Sequence, residues 1–359
     1  DLVMEYPVAE SESEEDNAYL SYNVVVGTAT DTLTCVAFDV LDYALLSAPG
    51  APLKQALLDA KLGKDVYGSY DDGILQPYFT VIAKGSNPDR KEEFVSVIRQ
   101  VLGDIVKNGI DKKAVEAGIN YFEFRYREAD FSSYPKGLMY SLDILGDWLY
   151  ESKAPFAQVQ MLKVFENLKK AVNEGYFEAL VRRYLLENPH GCILSLVPKK
   201  GLAAQREKEL EEKLEAYRSS LSEEQLDAMV EKTKALEAYQ EAEEDPEALE
   251  CIPMLKRSDI KKEAGKFVNE ELSVDDSLFL YHDVCTNGIG YVDMMFKTDS
   301  IAPEQIPYLG LLKSVLGYVD TKDHTYGELF NEINPKIPHI GNINPSGKHL
   351  TESFWFAGG

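Results

Sequence analysis

Five histidines are the side chains best able to hold a catalytic metal, and their spacing does not favour a site. They are His190, His282, His324, His339 and His349. No two are four residues apart, the spacing that places two imidazoles on one helix face. His190 follows Asn188-Pro189, which is typical of a turn. The sequence therefore predicts no metal site; the alternative, a zinc site assembled from scattered histidines, requires the fold to bring them together.

Other residues that could do chemistry lack partners nearby in the sequence. Glu123, Glu128 and Asp130 could form an acid–base group, but nothing supplies a partner, and we interpret them as a solvated helix face. The glycines between 341 and 347 lack the Gly-Lys-Ser/Thr of a phosphate-binding loop. The chain is therefore predicted to carry no catalytic residue of its own.

Composition and charge exclude several classes of partner. The net charge of −24 and the pI near 4.6 argue against nucleic acid and against anionic membrane surfaces. No continuous apolar run approaches the roughly 20 residues that span a bilayer. The four cysteines, Cys35, Cys192, Cys251 and Cys285, are scattered without a CxxC pair, so we expect reduced thiols.

The chain is organised around a helical stretch at residues 201–250. Its first half carries an apolar stripe spaced four, three and four residues apart, at Leu210, Leu214, Tyr217 and Leu221. Ser222 with Gln225 forms a capping box, which predicts the start of a second helix. The stretch holds 16 acidic and 6 basic residues. The pattern predicts a solvated, acidic hairpin of two antiparallel helices that connects two larger bodies.

The segments on either side of this hairpin predict two related α+β units. Residues 1–18 are expected to be a linker, and 19–200 run in the order strand, two helices, two strands, helices, strand. After a connector at 201–260, residues 261–359 repeat the beginning of that order. Strands at 277–284 and 290–297 are predicted to pair around the Asn287-Gly288 turn. An offset of about 270 residues between similar segments indicates a duplicated domain rather than a solenoid. The second unit is shorter, and the chain begins without Met, so we expect a piece of a longer protein.

Ordered motifs along nearly the whole chain resemble one family. They are Ser47-Ala48-Pro49-Gly50-Ala51-Pro52-Leu53-Lys54-Gln55-Ala56-Leu57 with Gly63, 120–127, Tyr134-Pro135-Lys136-Gly137-Leu138-Met139, Asn188-Pro189-His190, 247–260, and Thr286-Asn287-Gly288-Ile289 with Tyr291. In these the chain resembles the presequence protease branch of the insulinase-like (pitrilysin) zinc peptidases. The resemblance implies a second pitrilysin-like domain, the hairpin, and the opening of a third domain.

The resemblance also implies where the chemistry resides. The family's zinc is held by His-x-x-Glu-His on a helix of its first domain, with an Arg and a Tyr supplied by its fourth, and this chain has no such motif. Metal ligands and catalytic residues are thus expected outside this chain, with zinc as the cofactor of the longer protein only. Asn287, Gly288 and Tyr291 are the residues expected to shape the substrate-chamber wall.

The resulting functional expectation is a non-catalytic central segment of a zinc metalloendopeptidase that degrades short unstructured peptides in a closed chamber. The segment would supply chamber wall and the hinge between halves. One alternative is a structural scaffold of the same fold, and another is an adaptor that binds through the acidic hairpin. Expected partners are peptide substrates and the remaining domains of the same polypeptide, without nucleic acid or membrane. Self-association through an unpaired sheet edge of the shorter unit is also expected. The expected location is the cytoplasm, with an organelle matrix as the alternative.

Overall fold

The protein is α+β and divides into two compact units. The computed structural model describes residues 1–263, 265–266, 268–275, 277–297, 300–316, 318–333, 339–340, 344–346 and 349–357. Unit 1 contains Asp1–Lys200 and Thr286–Gly359, and unit 2 contains Gly201–Cys285. The chain therefore divides after residues 200 and 285, not after the predicted boundary at 260. Whether these parts correspond to second and third pitrilysin-like domains stays a prediction.

Unit 1 is built on a five-stranded sheet. Its strands are β1 (Leu2–Val8), β2 (Ala18–Val25), β3 (Asp65–Asp71), β4 (Tyr78–Ser86) and β5 (Gly191–Lys200), in the spatial order β1-β5-β2-β4-β3. Only β1 and β5 pair in parallel, and the other neighbours are antiparallel. Strands β2, β3, β4 and β5 confirm the predicted strands in this unit, and β5 closes the sheet as expected.

The first residues of the chain form part of this sheet, so the prediction of a linker at 1–18 is wrong. Strand β1 pairs with β5 along its whole length, from Leu2 opposite Leu194 to Val8 opposite Lys200. The segment after β1 is also attached: Asn87 and Asp16 exchange two hydrogen bonds, of 2.6 and 2.9 Å. The sequence could not show this, because the partner strand lies about 190 residues away.

Helices cover one face of the sheet. They are α1 (Thr32–Asp42), α2 (Pro52–Asp59), α3 (Lys91–Asn108), α4 (Lys112–Glu128), α5 (Lys136–Trp148), α6 (Leu162–Ala171) and α7 (Tyr176–Leu180). A π-helical turn, Tyr43–Ser47, extends α1, and another, Val181–Leu186, extends α7. The core lies between this layer and the sheet and includes Leu20, Phe38, Leu57, Phe79 and Phe94, all buried.

Local sequence explains where these helices begin. The Asp31 carboxylate accepts from the Thr34 amide and so caps α1, whose first amides have no intrahelical acceptor. Pro52 begins α2, where its missing N–H and fixed φ cost nothing. Asp111 caps α4 in the same way as Asp31 caps α1. Each of these starts was predicted and is confirmed.

The stretch Thr32–Asp59, which joins α1 to α2, is long and apolar enough to cross a membrane by length and composition alone. It is the one such stretch among the residues that the structure describes. Of its most apolar window, 61% is buried inside the protein, where its side chains form the core of unit 1.

Unit 2 holds the predicted helical pair. Its helices are α8 (Leu202–Ser220), α9 (Glu223–Glu241) and α10 (Pro246–Leu249), followed by β6 (Glu270–Val274) and β7 (Ser277–Tyr281). The capping box between Ser222 and Gln225 is present, with hydrogen bonds of 2.9 and 3.3 Å. The apolar stripes are not packed as an antiparallel hairpin predicts: the stripes of α8 and α9 remain about half exposed, from 46% at Met229 to 57% at Leu214.

The chain then returns to unit 1 as a second sheet. Its strands are β8 (Ile289–Lys297), β9 (His339–Ile340), β10 (Asn344–Ser346) and β11 (His349–Ala357), with α11 (Ile306–Val315) and α12 (Tyr326–Ile333) between β8 and β9. Strand β8 pairs with β11, whereas β7 pairs with β6. The predicted hairpin between 277–284 and 290–297 is therefore wrong, although the strands exist. Most of the glycine-containing stretch 341–347 lies outside the described residues.

Candidate functional site

The three residues that the family resemblance singled out lie beside the C-terminal end of α4. The Arg127 guanidinium donates from Nη1 to the Asn287 carbonyl oxygen at 3.2 Å, and Asn287 Nδ2 donates to the Arg127 carbonyl oxygen at 2.9 Å. The Tyr291 hydroxyl donates to Glu128 Oε1 at 3.4 Å. The carbonyls of a last helical turn lack intrahelical donors, so Asn287 satisfies one of them. Asn287, Gly288 and Tyr291 thus attach the start of β8 to α4.

The turn at Asn287-Gly288 has the backbone that its sequence favours. Both residues have positive φ, +54° at Asn287 and +81° at Gly288. Asn and Gly tolerate this left-handed region better than other residues. A Cβ at Gly288 would lie 3.1 Å from Arg127 Nη1, so glycine also lets the guanidinium reach the turn. The turn is therefore required by the α4 contact and not by a hairpin.

Behind this contact lies a buried carboxylate shared by two cations. Glu123 Oε1 is 2.7 Å from Arg127 Nη2 and accepts from Arg127 Nε at 2.8 Å, and Glu123 Oε2 is 2.7 Å from Lys169 Nζ. Glu123 is only 7% exposed, so its interpretation as part of a solvated face is wrong. Burial raises the pKa of Glu123, but the hydrogen bonds from Lys169 and Arg127 outweigh it, and the pKa is lowered overall.

We expect Glu123→Gln to destabilise unit 1 by about 1–3 kcal/mol at neutral pH, because it leaves two cations without their shared carboxylate. The lowered folded-state pKa means that this contribution is present above the unfolded pKa and is lost as pH falls through the folded one. Urea unfolding at pH 7 and pH 3 measures both effects. Lys169→Gln, which removes the more exposed cation, is the control and should cost less. A neutral-pH loss no larger than that of the control contradicts this account.

Tyr291 contributes little proton chemistry in this position. Partial burial raises the pKa of its hydroxyl, and the nearby carboxylates of Glu128 and Asp130 raise it further. The phenol therefore stays protonated at neutral pH and acts as a hydrogen-bond donor. No acid–base pair forms among Glu123, Glu128 and Tyr291. A contact of Asn287, Gly288 or Tyr291 with substrate stays a prediction.

A second candidate surface is the face of the five-stranded sheet opposite the helices. Along β2, Leu20, Tyr22 and Val24 belong to the buried core. The alternate residues point to the other side. The pairing register extends that side across all five strands in two rows: Leu2, Leu194, Ser21, Ile82 and Tyr67, and Met4, Leu196, Tyr19, Lys84 and Asp65. We call this surface the open face.

Side chains of the open face combine apolar area with a fixed polar row. Asn23 Nδ2 donates to Ser21 Oγ at 2.7 Å and to the Cys192 carbonyl at 3.1 Å, and Thr80 Oγ1 donates to Asn23 Oδ1 at 3.0 Å. Toward the two edges, Leu2, Met4 and Tyr67 are exposed. The period-2 alternation of β2 was the sequence signal for this face, but its width depends on register across strands far apart in the sequence.

The opposite side of the sheet contains two aspartates under the π-helical turn. Asp42 accepts from Ser47 Oγ at 3.0 Å through one oxygen, and its other oxygen is buried without a partner among the described residues. Burial, followed by the charges of Asp72 and Asp42, raises the pKa of Asp39 to about 8, and Arg125 lowers it only in part. Burial likewise raises the pKa of Asp42. The sequence analysis did not identify this pair, because α1 is otherwise apolar.

The histidines lie apart in the structure. The His190 amide donates to Asn188 Oδ1 at 2.9 Å, as a turn residue would, and His282 Nδ1 is 2.8 Å from the Val268 carbonyl in unit 2. His324 lies between α11 and α12, and His339 and His349 lie in β9 and β11. Among the residues that the structure describes, no three His, Cys, Asp or Glu side chains are grouped so as to hold a metal ion.

Two family models match the chain. "Peptidase M16 inactive domain" matches residues 4–122, and the model of the associated region of peptidase family M16, subfamily C, matches residues 196–350. The two matched ranges cover the first part of unit 1, and unit 2 with much of the chain that follows it.

Curated relatives agree with these models. Protein HypA of Clostridium perfringens is 42% identical over 329 residues, which are 92% of this chain and 34% of that protein. Presequence protease 1, chloroplastic/mitochondrial, of Arabidopsis thaliana is 30% identical over 345 residues, 94% of this chain and 32% of that protein. The mitochondrial presequence protease of Xenopus laevis is 25% identical over 323 residues, 88% of this chain and 30% of that protein.

This chain spans about a third of the length of the curated relatives it matches. The expected resemblance is confirmed: the chain carries the inactive-domain sequence and the associated region in the order found by the two models, without a His-x-x-Glu-His motif. It belongs to the M16 peptidase family, as a segment related to the presequence proteases and without the zinc motif.

Proposed function

We propose that this chain is a non-catalytic segment of a zinc metalloendopeptidase, in which the open face forms part of the wall of a closed chamber for short unstructured peptides. The observation that carries this proposal is the open face itself. Five strands present apolar rows and a fixed polar row on the side away from the helices, with exposed apolar side chains at both edges. Such a surface suits an extended peptide of no fixed sequence.

The physical fit has two parts. The apolar rows offer area to peptide side chains, and burial of apolar area favours binding without directional demands. The polar row does not compete with this, because the Asn23 amide is already hydrogen-bonded to Ser21, Cys192 and Thr80. The wall is thus proposed to bind peptides weakly and broadly. Asn287, Gly288 and Tyr291 remain proposed as a second part of the wall, at the end of α4.

Catalysis in this proposal belongs to other parts of a longer polypeptide. Zinc, its ligands and the general base are assigned to a domain carrying His-x-x-Glu-His, as the relatives' name of protease suggests. Unit 2, with α8 and α9, is proposed as the hinge between halves. We propose a cytoplasmic location, with an organelle matrix as the alternative. A scaffold of the same fold would share the open face but lack zinc-dependent cleavage.

The test places a charge on the open face of the longer, zinc-loaded polypeptide. Tyr67→Arg is expected to raise KM for an unstructured peptide several-fold and to leave kcat and bound zinc nearly unchanged, since the wall binds substrate but does not take part in bond cleavage. Cleavage kinetics and metal analysis measure these quantities.

The matched control is Tyr134→Arg, the same substitution at an exposed tyrosine outside the sheet, and its KM should not change. Equal KM values for the two variants would remove the open face from the wall. A longer polypeptide that binds no zinc and cleaves no peptide would instead favour the scaffold.

A further inference from the structure

Helix α8 carries an apolar stripe that this chain leaves uncovered. Leu210, Leu214 and Tyr217 are 56%, 57% and 54% exposed, and Leu221 follows directly after the helix ends. Their spacing of four, three and four residues is that of a coiled-coil seam, in which alternate positions insert between the residues of a facing helix. An exposed seam of this kind on an otherwise charged helix indicates a missing helical partner.

The charges beside the seam discriminate between possible partners. Glu211 lies on one flank of the seam, and Arg218 lies on the same flank two turns later. Lys213 lies on the opposite flank, and Ser220 there is neutral. Flanking charges select the partner and the orientation of a coiled coil, because like charges across the interface repel and opposite charges attract.

A second α8 in the antiparallel direction satisfies these charges. When Leu214 faces Tyr217 of the other copy, Leu210 faces Leu221, and Glu211 meets Arg218 of the other copy. Two-fold symmetry repeats this attractive pair at the other end of the seam. The parallel arrangement instead brings Lys213 beside Arg218 of the other copy, and these repel. The seam is therefore complementary to itself in one direction only.

We propose that the α8 seam is a self-association surface, on which a second copy of this chain binds through its own α8 in an antiparallel pair. The contact is isologous, centred on Leu214 and Tyr217, with Glu211–Arg218 pairs at both ends. The seam is about three turns long, so the dimer is expected to be weak and concentration-dependent. This surface is distinct from the sheet edges.

Charge reversal in the full chain tests the pairing directly. Glu211→Arg places a new arginine against Arg218 of the other copy at both ends of the seam, and Arg218→Glu places a new glutamate against Glu211. Each single variant is expected to weaken the dimer roughly tenfold, because two attractive pairs become repulsive. An equimolar mixture of the two variants, and the double variant E211R/R218E, restore opposite charges and should recover wild-type association. Sedimentation velocity from about 1 μM to about 1 mM covers the range expected for a weak contact.

Glu212→Arg is the control. It makes the same change in net charge on the outer side of α8 and should leave association unchanged, and circular dichroism should show equal helix content in all variants. Three results overturn the proposal: a wild-type chain that stays monomeric at every concentration, a dimer that Glu211→Arg does not weaken, or a mixture of the single variants that does not recover. The first means that another segment or another protein covers the seam, and the second places the contact elsewhere.

Discussion

Gly68→Ala is expected to lower the free energy of unfolding of unit 1 by about 3 kcal/mol or more. Gly68 lies in the middle of β3, opposite Val81 of β4, with its α-carbon facing the π-helical turn after α1. A Cβ built there overlaps the Asp42 carboxylate and the Leu46 side chain. Leu46 is buried in the core and cannot move aside without displacing its neighbours. Urea unfolding followed by circular dichroism measures the loss.

Gly103→Ala is the matched control for this substitution. Gly103 lies within α3, and a Cβ there meets no atom within 4 Å. Alanine in a helix interior is favoured over glycine by about 0.5–1 kcal/mol, so this variant should be slightly more stable than wild type. The double variant G68A/D42A should recover part of the loss, because it removes one of the two overlapping groups. Equal stability of Gly68→Ala and wild type would show that β3 and the π-helical turn are not in contact.

Asp39→Asn is expected to raise stability at pH 8 by at least about 1.4 kcal/mol, the equivalent of one pKa unit. Burial, together with Asp72 and Asp42, raises the folded-state pKa of Asp39 to about 8. In the unfolded chain this carboxylate ionises near its ordinary value, 3.8. Between these two values the folded state holds a proton that the unfolded state has lost, so the contribution of Asp39 to stability decreases as pH rises.

The asparagine variant should remove that dependence, because its side chain is neutral at every pH. Its stability should match wild type near pH 4 and exceed it progressively toward pH 8, as measured by urea unfolding across this range. Asp104→Asn, at an exposed position of α3, is the control and should change stability little. A variant that is less stable than wild type at pH 8 would mean that Asp39 is ionised in the folded protein.

These two predictions concern residues that sequence analysis did not find. Gly68 occupies a strand with no turn signal, and Asp39 occupies a helix whose other residues are mainly apolar. Both depend on how α1 lies across β3, a contact between segments about 30 residues apart. Glu123 was misinterpreted for the same reason: its partners include Lys169, which α6 supplies. A carboxylate on an amphipathic helix has no local sequence mark that distinguishes a buried ion pair from a solvated face.

The sequence by itself determined the elements whose causes are local. Asp31 and Asp111 cap helices with side chains two or three residues from the amides they bind, Pro52 begins α2, and Ser222 with Gln225 makes the capping box of α9. These interactions span a few residues, so the residue types and their spacing are sufficient. The family motifs likewise identified the M16 relationship.

Only the tertiary structure decided which strands pair and which faces stay open. Strand β1 is identified by its partner β5 near residue 194, and β8 pairs with β11 instead of its neighbour in sequence, β7. Asn287-Gly288 forms a turn as its sequence favours, but the Arg127 contact determines what that turn does. The α8 stripe was visible in the sequence, whereas its exposure was not. Strand pairing and burial depend on contacts between distant segments, and periodicity within one segment carries no information about its partner.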